Sequence, residues 1–148
     1  MACVEAALQA GDVAALLIDG RANEELTESV VGLVSIAQSK DVAVLIADDA
    51  QLAKNAGADG VQVAAEAGVF ASARALLGED SIVGVAAGHS RHAAMELAEA
   101  GASYVTFDDV ADDPEGLSAW WAHVMAPKRV SHAGATANRA AVRPAIRA

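Results

Sequence analysis

The sequence predicts an α/β fold of about five parallel βα units, and three features carry that prediction. Short apolar stretches without polar alternation recur at 13–18, 42–47, 61–63, 81–85 and 104–107, as in strands buried on both faces. Between them lie segments with apolar residues at helical spacing, closed by Gly57, Gly78 and Gly101; glycine suits the left-handed position just past a helix end. A phrase also recurs at the junctions: Ala-Gly-Asp-Val at 10–13, Ala-Gly-Ala-Asp-Gly-Val at 56–61 and Ala-Gly-Ala-Ser-Tyr-Val at 100–105. The spacings of 46 and 44 residues correspond to two βα units each, the mark of a repeated architecture whose strands run parallel.

Residues 2–10, ACVEAALQA, are good helix formers stopped by Gly11. The first strand follows at 13–18. Asn23 suits the cap of the next helix, with Glu24 and Glu25 in its first turn, where acids complement the helix dipole. Leu26, Val30, Leu33, Val34 and Ala37 give that helix one apolar face. The central stretch, 41–66, begins with a strand at 42–47 and turns on Asp48 and Asp49. A short helix carrying Leu52, Ala53 and Ala56 and a strand at 61–63 complete it. Residues 69–77 form the next helix and 81–85 the next strand; Ser90 caps a helix running to Ala100, and 104–107 is the fifth strand. Pro114 fits the first turn of a last helix striped by Leu117, Trp120, Trp121 and Val124.

A length of 148 residues suits one domain with a real core. The chain is 54% hydrophobic but only 3% aromatic, so Ala, Val and Leu must build that core. A net charge of −10 argues against nucleic acid and anionic membranes as partners. Residues 126–148 hold five bases and no acid; this basic, Ala/Arg-rich tail is expected to be disordered, leaving 1–125 as the domain. A single cysteine, Cys3, excludes an internal disulfide and fits a reducing compartment. With no signal-peptide pattern and no membrane-length apolar stretch, a soluble cytoplasmic protein is expected.

A closed barrel needs eight strands, so the residues alone leave two architectures open. One is a partial (β/α) barrel of the TIM type, with two exposed sheet edges that invite homo-oligomers or a partner chain. The other is a small open doubly wound sheet. In either, Asp48 and Asp49 stand where a strand meets its loop, the usual place of ligand sites. They are equally suited to holding Mg²⁺ and to capping the helix at Ala50. The acids at 108, 109, 112 and 113 fit a solvated loop better than a second cation site. His89 and His92 lack a third ligand and fit an exposed pair, and His123 and His132 have no companions. The Trp pair fits a core anchor better than a platform for a ligand ring.

The stretches DVAVLIADDAQLAKNAGADGVQV, ARALLG, IVGV and HSRHAAMELAEAGASYVTF, with the Trp120-Trp121 helix, resemble the thiamine-phosphate synthase/thiazole tautomerase superfamily. The resemblance covers roughly residues 2–125 and implies part of a (β/α)₈ barrel. The implied reaction joins a pyrimidine diphosphate to a thiazole phosphate with Mg²⁺, so the implied partners are small phosphorylated thiazole and pyrimidine precursors. Such chemistry needs positive charge and metal to converge where the diphosphate departs.

Residue by residue, the resemblance is depleted. The family's Asn-Asp pair falls on Ala47 and Asp48, which keeps the metal-side carboxylate. Its second metal carboxylate falls on Ala67 in the phrase Ala64-Ala65-Glu66-Ala67, making Glu66 the substitute. The Gln-x-Arg-x-Lys diphosphate clamp falls on Leu17, Asp19 and Arg21, with an acid at the clamping Arg and Arg21 as the phosphate-binding candidate. A small hydroxyl residue falls on Ala86. Asp108, Asp109, Asp112 and Asp113 stand where a Thr-rich loop with its Lys is expected, and the Gly-Gly-Ile phosphate loop has no counterpart. The expected site is therefore Asp48 and Glu66 for Mg²⁺ and Arg21 for phosphate. Two roles compete: a thiamine-phosphate-synthase-like enzyme, or a non-catalytic interaction module (a pseudoenzyme) pairing through its sheet edges. A tautomerase is a third reading, whose acid–base His would fall near Asp109.

Overall fold

A computed structural model describes residues 13–19, 24–108 and 116–124, without the side chains of 24–26 and 118. Five strands alternate with helices: β1 (Ala15–Ile18), α1 (Glu24–Gln38), β2 (Ala43–Ala47), α2 (Ala50–Ala56), β3 (Gly60–Ala64), α3 (Ala67–Leu77), β4 (Ile82–Ala86), α4 (Arg91–Glu99), β5 (Tyr104–Thr106) and α5 (Leu117–Val124). Each expected element in this range is present, with ends displaced by one or two residues. The helix expected at 2–10, the cap at Asn23, Pro114 and the tail at 126–148 lie outside the described residues.

All strand pairs are parallel and the order is sequential, β1-β2-β3-β4-β5. A doubly wound sheet reverses its strand order at a switch point; this one does not. Every crossover steps the same way, so right-handed connections put all the helices on one face. The sheet is a curled half-barrel, and the open doubly wound alternative is excluded.

The two faces differ in side-chain size. Toward the helices, Leu16, Ile18, Val44, Ile46, Val61, Val63, Val83 and Val85 are buried in one cluster with Val30, Val34, Leu52, Ala53, Phe70, Ala73 and Leu97. The other face alternates with it along each strand and carries small residues (Ala43, Ala47, Gly60, Ala64, Gly84 and Ala86) among the larger Leu17, Leu45, Gln62 and Tyr104. A Cβ on Gly60 would lie 1.8 Å from the Ile82 carbonyl oxygen, so only glycine lets β4 approach β3 that closely.

The repeated junction phrase has a structural meaning. The α2 exit is a Schellman turn: Ala58 N–H donates to Ala53 O (3.0 Å) and Gly57, at φ +69°, donates to Lys54 O. The α4 exit repeats it, with Ala102 donating to Leu97 O (2.9 Å) and Gly101, at φ +96°, donating to Ala98 O. The next residue but one then ties the following strand to its neighbour. Asp59 accepts from Val44 N–H at 2.7 Å through its carboxylate, and Ser103 accepts from Val83 N–H at 3.1 Å through its hydroxyl. The α1 exit has the same hydrogen bonds, Val42 to Ala37 O and Asp41 to Gln38 O, but puts Asp41 at φ +58° where glycine is usual. No helix among the described residues is long and apolar enough to cross a membrane.

Candidate functional site

β2 lies between β1 and β3, so its carboxyl end opens onto the middle of the half-barrel. Asp48 is the first residue beyond it, with backbone φ of +56°. Aspartate tolerates this left-handed conformation better than most residues, and strain of this kind gathers at functional positions. Its N–H donates to Gln62 O at 2.8 Å, extending the ladder to β3 by one bond. The chain then swings into α2, which Asp49 caps by accepting from Leu52 N–H at 2.8 Å. The two acids that local pattern left equivalent thus separate: Asp49 is committed to the helix, while the Asp48 carboxylate is exposed and makes no hydrogen bond among the described residues.

After β3 the place of Asp48 falls to Ala65, whose N–H donates to Ala86 O at 3.2 Å, and that of Asp49 falls to Glu66. It is the N-cap residue of α3, yet its side chain makes no capping bond. Asp48 and Glu66 both line a cleft of about 450 Å³ that continues between α2 and α3 past Ala50, Val63, Gly68 and Ser72. No group of three His, Cys, Asp or Glu side chains suited to a metal occurs among the described residues. A dedicated zinc or calcium cage needs more protein ligands than this. Two uncommitted carboxylates on one cleft fit Mg²⁺, which keeps several waters and takes one or two carboxylates plus substrate phosphate oxygens.

Other sequence candidates are not gathered here. Arg21, Asp109, Asp112, Asp113 and His132 lie outside the described residues. Asp19, at the clamp position, is exposed beyond β1. Asp108 lies across from the β4–α4 loop: its N–H donates to Gly88 O at 3.1 Å. His89 is exposed, and His92 meets Glu96 at 3.8 Å on the outside of α4. Neither Trp is a core anchor, because α5 meets its aromatic partner beyond the sheet's end. Trp120 and Trp121 are half-buried and pack edge-on against Phe107, with centroids 6.5 and 5.7 Å away. The Arg91 guanidinium lies 4.9 Å from the Trp120 ring centroid, a cation–π contact that holds a positive charge at the head of α4.

One feature of the concave face was not expected from sequence. Strand register aligns Ala47, Gln62, Gly84 and Tyr104 across four strands. The Tyr104 hydroxyl donates to Gln62 Oε1 at 3.0 Å, passing over Gly84. A Cβ on Gly84 would fall 2.1 Å from Tyr104 Cζ, so the glycine is what admits the ring. Burial pushes the Tyr104 phenol from its ordinary 10.0 up to about 12. The only local signal was a glutamine inside the apolar run at 61–63.

Residues 1–114 match the family described as thiamine monophosphate synthase. The thiamine-phosphate synthase of Rhodospirillum centenum is 38% identical over 147 residues, covering 91% of this chain and 70% of that one. That of Hyphomonas neptunium is 43% identical over 110 residues, covering 70% and 50%. A thiamine phosphate pyrophosphorylase structure from Pyrococcus furiosus superposes with a TM-score of 0.64 at 25% identity, covering 72% of this chain and 52% of that one. The chain thus spans between about half and 70% of the length of these relatives.

Proposed function

The chain belongs to the thiamine monophosphate synthase family, and from that premise we propose that its strand-end mouth binds the phosphorylated pyrimidine and thiazole precursors of thiamine phosphate. The observation that carries this reading is the pair of uncommitted carboxylates, Asp48 and Glu66, which follow adjacent strands and line the same cleft between α2 and α3. In this reading they hold Mg²⁺, which when bound neutralises charge on the diphosphate as it leaves. Asp48 stands at the end of a rigid buried strand, so its carboxylate is presented without a large ordering cost. Arg21 supplies positive charge to the same anion, opposing the acid at position 19. Small residues at 47, 64 and 86 leave room on the concave face for a flat ring. The test is pyrophosphate release from a pyrimidine diphosphate and a thiazole phosphate with Mg²⁺. Turnover that falls at least tenfold in Asp48→Asn supports the reading, and turnover indifferent to that change refutes it.

A second reading has its own observation. Asp19, Ala67 and Ala86 stand where the family's clamp, second carboxylate and hydroxyl are expected, which favours a protein that binds phosphorylated precursors, or a partner chain along its sheet edge, without turning them over. Binding of Mg²⁺ and pyrophosphate with no turnover distinguishes a ligand binder from an enzyme. Concentration-dependent sedimentation without either would identify the interaction module.

A further inference from the structure

The cleft between α2 and α3 is an apolar groove on the outer face. α3 has 11 residues against 7 in α2, and α2 gives only Ala50 to the lining. The α3 stripe Val69, Ala73 and Leu76, at helical spacing, is therefore incompletely covered, and Val69 is 41% exposed. Ser72, on the same stripe, turns its hydroxyl back onto Gly68 O at 2.8 Å. At the strand ends the groove opens on Asp48 and Glu66.

Charge is divided between the two ends of the sheet. Lys40 stands in the α1 exit. Lys54 and Arg74 lie in the last turns of α2 and α3, donating to Leu76 O and to Gly78, Ser81 and Gly101 O. At the carboxyl ends the one described lysine or arginine is Arg91, which is taken up by Trp120. Asp19, Asp48, Glu66 and Asp108 are exposed there, and no lysine or arginine among the described residues pairs with them.

The chain itself carries the complement. Residues 126–148 hold five bases and no acid, and each large apolar residue in them adjoins an arginine: Arg129-Val130, Val142-Arg143 and Ile146-Arg147. α5 ends at Val124 and packs on Phe107 just past β5, so this segment departs from the carboxylate end of the sheet. Some two and a half strand spacings and one helix layer, roughly 15–25 Å, separate that point from the groove. Residues 125–141 reach about 60 Å when extended, and a coil of that length would average about 21–25 Å.

We propose that residues 142–147 dock in the α2–α3 groove, with Val142 and Ile146 against the Val69–Leu76 stripe and Arg143 and Arg147 toward Asp48 and Glu66. A guanidinium matches a carboxylate through two parallel N–H bonds. Tethering supplies an effective concentration of the order of millimolar, so contacts too weak to hold a free peptide suffice. The docked arginines occupy oxygens that a metal would take, so segment and cation exclude each other; the docking does not rest on the proposed function.

The test places a nitroxide on Ala148→Cys in the full chain, with Cys3→Ser making it the sole thiol, and reads paramagnetic loss of ¹⁵N amide signals without Mg²⁺ or pyrophosphate. The Gly68, Val69 and Ser72 signals are expected to be lost, and that of Val31, a similarly exposed valine on α1, retained. Arg143→Glu with Arg147→Glu restores the lost signals by reversing the charge. Val69→Lys restores those of Gly68 and Ser72 by removing the apolar contact. Both changes lie outside the core, and retained amide dispersion shows that each variant is folded. Loss spread evenly over the surface, or loss at the groove that survives both variants, overturns the proposal. Loss of the same signals in untagged ¹⁵N chain mixed with tagged, unlabelled chain would assign the groove to a second copy and overturn it too. With no metal or phosphate present, failure here leaves the proposed function standing, and failed Mg²⁺–pyrophosphate binding leaves the docking standing.

Discussion

Replacing Gly84 with alanine would place a methyl group inside the ring of Tyr104, at 2.1, 2.3 and 2.6 Å from Cζ, Cε1 and Cε2. Carbon atoms pack at about 3.5–4.0 Å, so the ring must move by more than an ångström and surrender the 3.0 Å bond to Gln62. Forcing extra volume into a packed layer costs about 1–3 kcal/mol, and the lost hydrogen bond adds about 0.5–1.5 kcal/mol. A loss of about 1.5–4.5 kcal/mol is therefore expected, a large share of the ~5–15 kcal/mol typical of a domain. Urea unfolding should show a lower midpoint at unchanged slope, the signature of altered stability with an intact two-state transition. The decisive control is the same substitution in a Tyr104→Ala background, where no ring is left to strike. There Gly84→Ala should cost less than about 1 kcal/mol, a strong non-additivity between contacting residues. Additive losses would show that the ring does not lie over Gly84 and would refute the layered concave face.

Three further outcomes follow from the same geometry. Asp41→Gly should stabilise the chain by about 0.5–1 kcal/mol in urea unfolding, because the left-handed position closing α1 strains any side chain there. Asp59→Ala should cost about 1.5–3 kcal/mol by orphaning the Val44 N–H that the carboxylate meets at 2.7 Å, whereas Asp59→Asn keeps an acceptor and should cost less. Tyr104 is the sole tyrosine, so tyrosinate absorbance reports it directly and should titrate near pH 12 rather than 10. Because the folded value is the higher one, the unfolded chain loses this proton first as pH rises; stability is unaffected by it below pH 10 and falls between pH 10 and about 12.

What the sequence disclosed follows from the range of the interactions involved. Strands and helix exits are written in local patterns, so Gly57 and Gly101 marked their turns and Ser90 its cap, where it accepts from Ala93 N–H at 3.1 Å. Strand order is a long-range property, and periodicity could not separate a half-barrel from a doubly wound sheet; resemblance to a barrel family carried that choice. On local pattern Asp48 and Asp49 were indistinguishable because either could cap α2, and resemblance alone favoured Asp48 as the ligand. The bond from Leu52 N–H to the Asp49 carboxylate shows that Asp49 is the cap. Trp120 and Trp121 read as core anchors on helical spacing alone, yet their partner Phe107 lies beyond the end of β5. The Gln62–Tyr104 pair joins residues 42 apart across an intervening strand, a juxtaposition no local pattern encodes.

The central claim is that Asp48 and Glu66 form the metal side of a diphosphate site, and calorimetric titration of Mg²⁺ into the full chain with and without pyrophosphate tests it most directly. Saturable Mg²⁺ binding that requires pyrophosphate and weakens about tenfold or more in Asp48→Asn is the predicted result, since asparagine keeps the left-handed turn and removes only the charge. Absence of binding, or binding of equal strength in that variant, would contradict it.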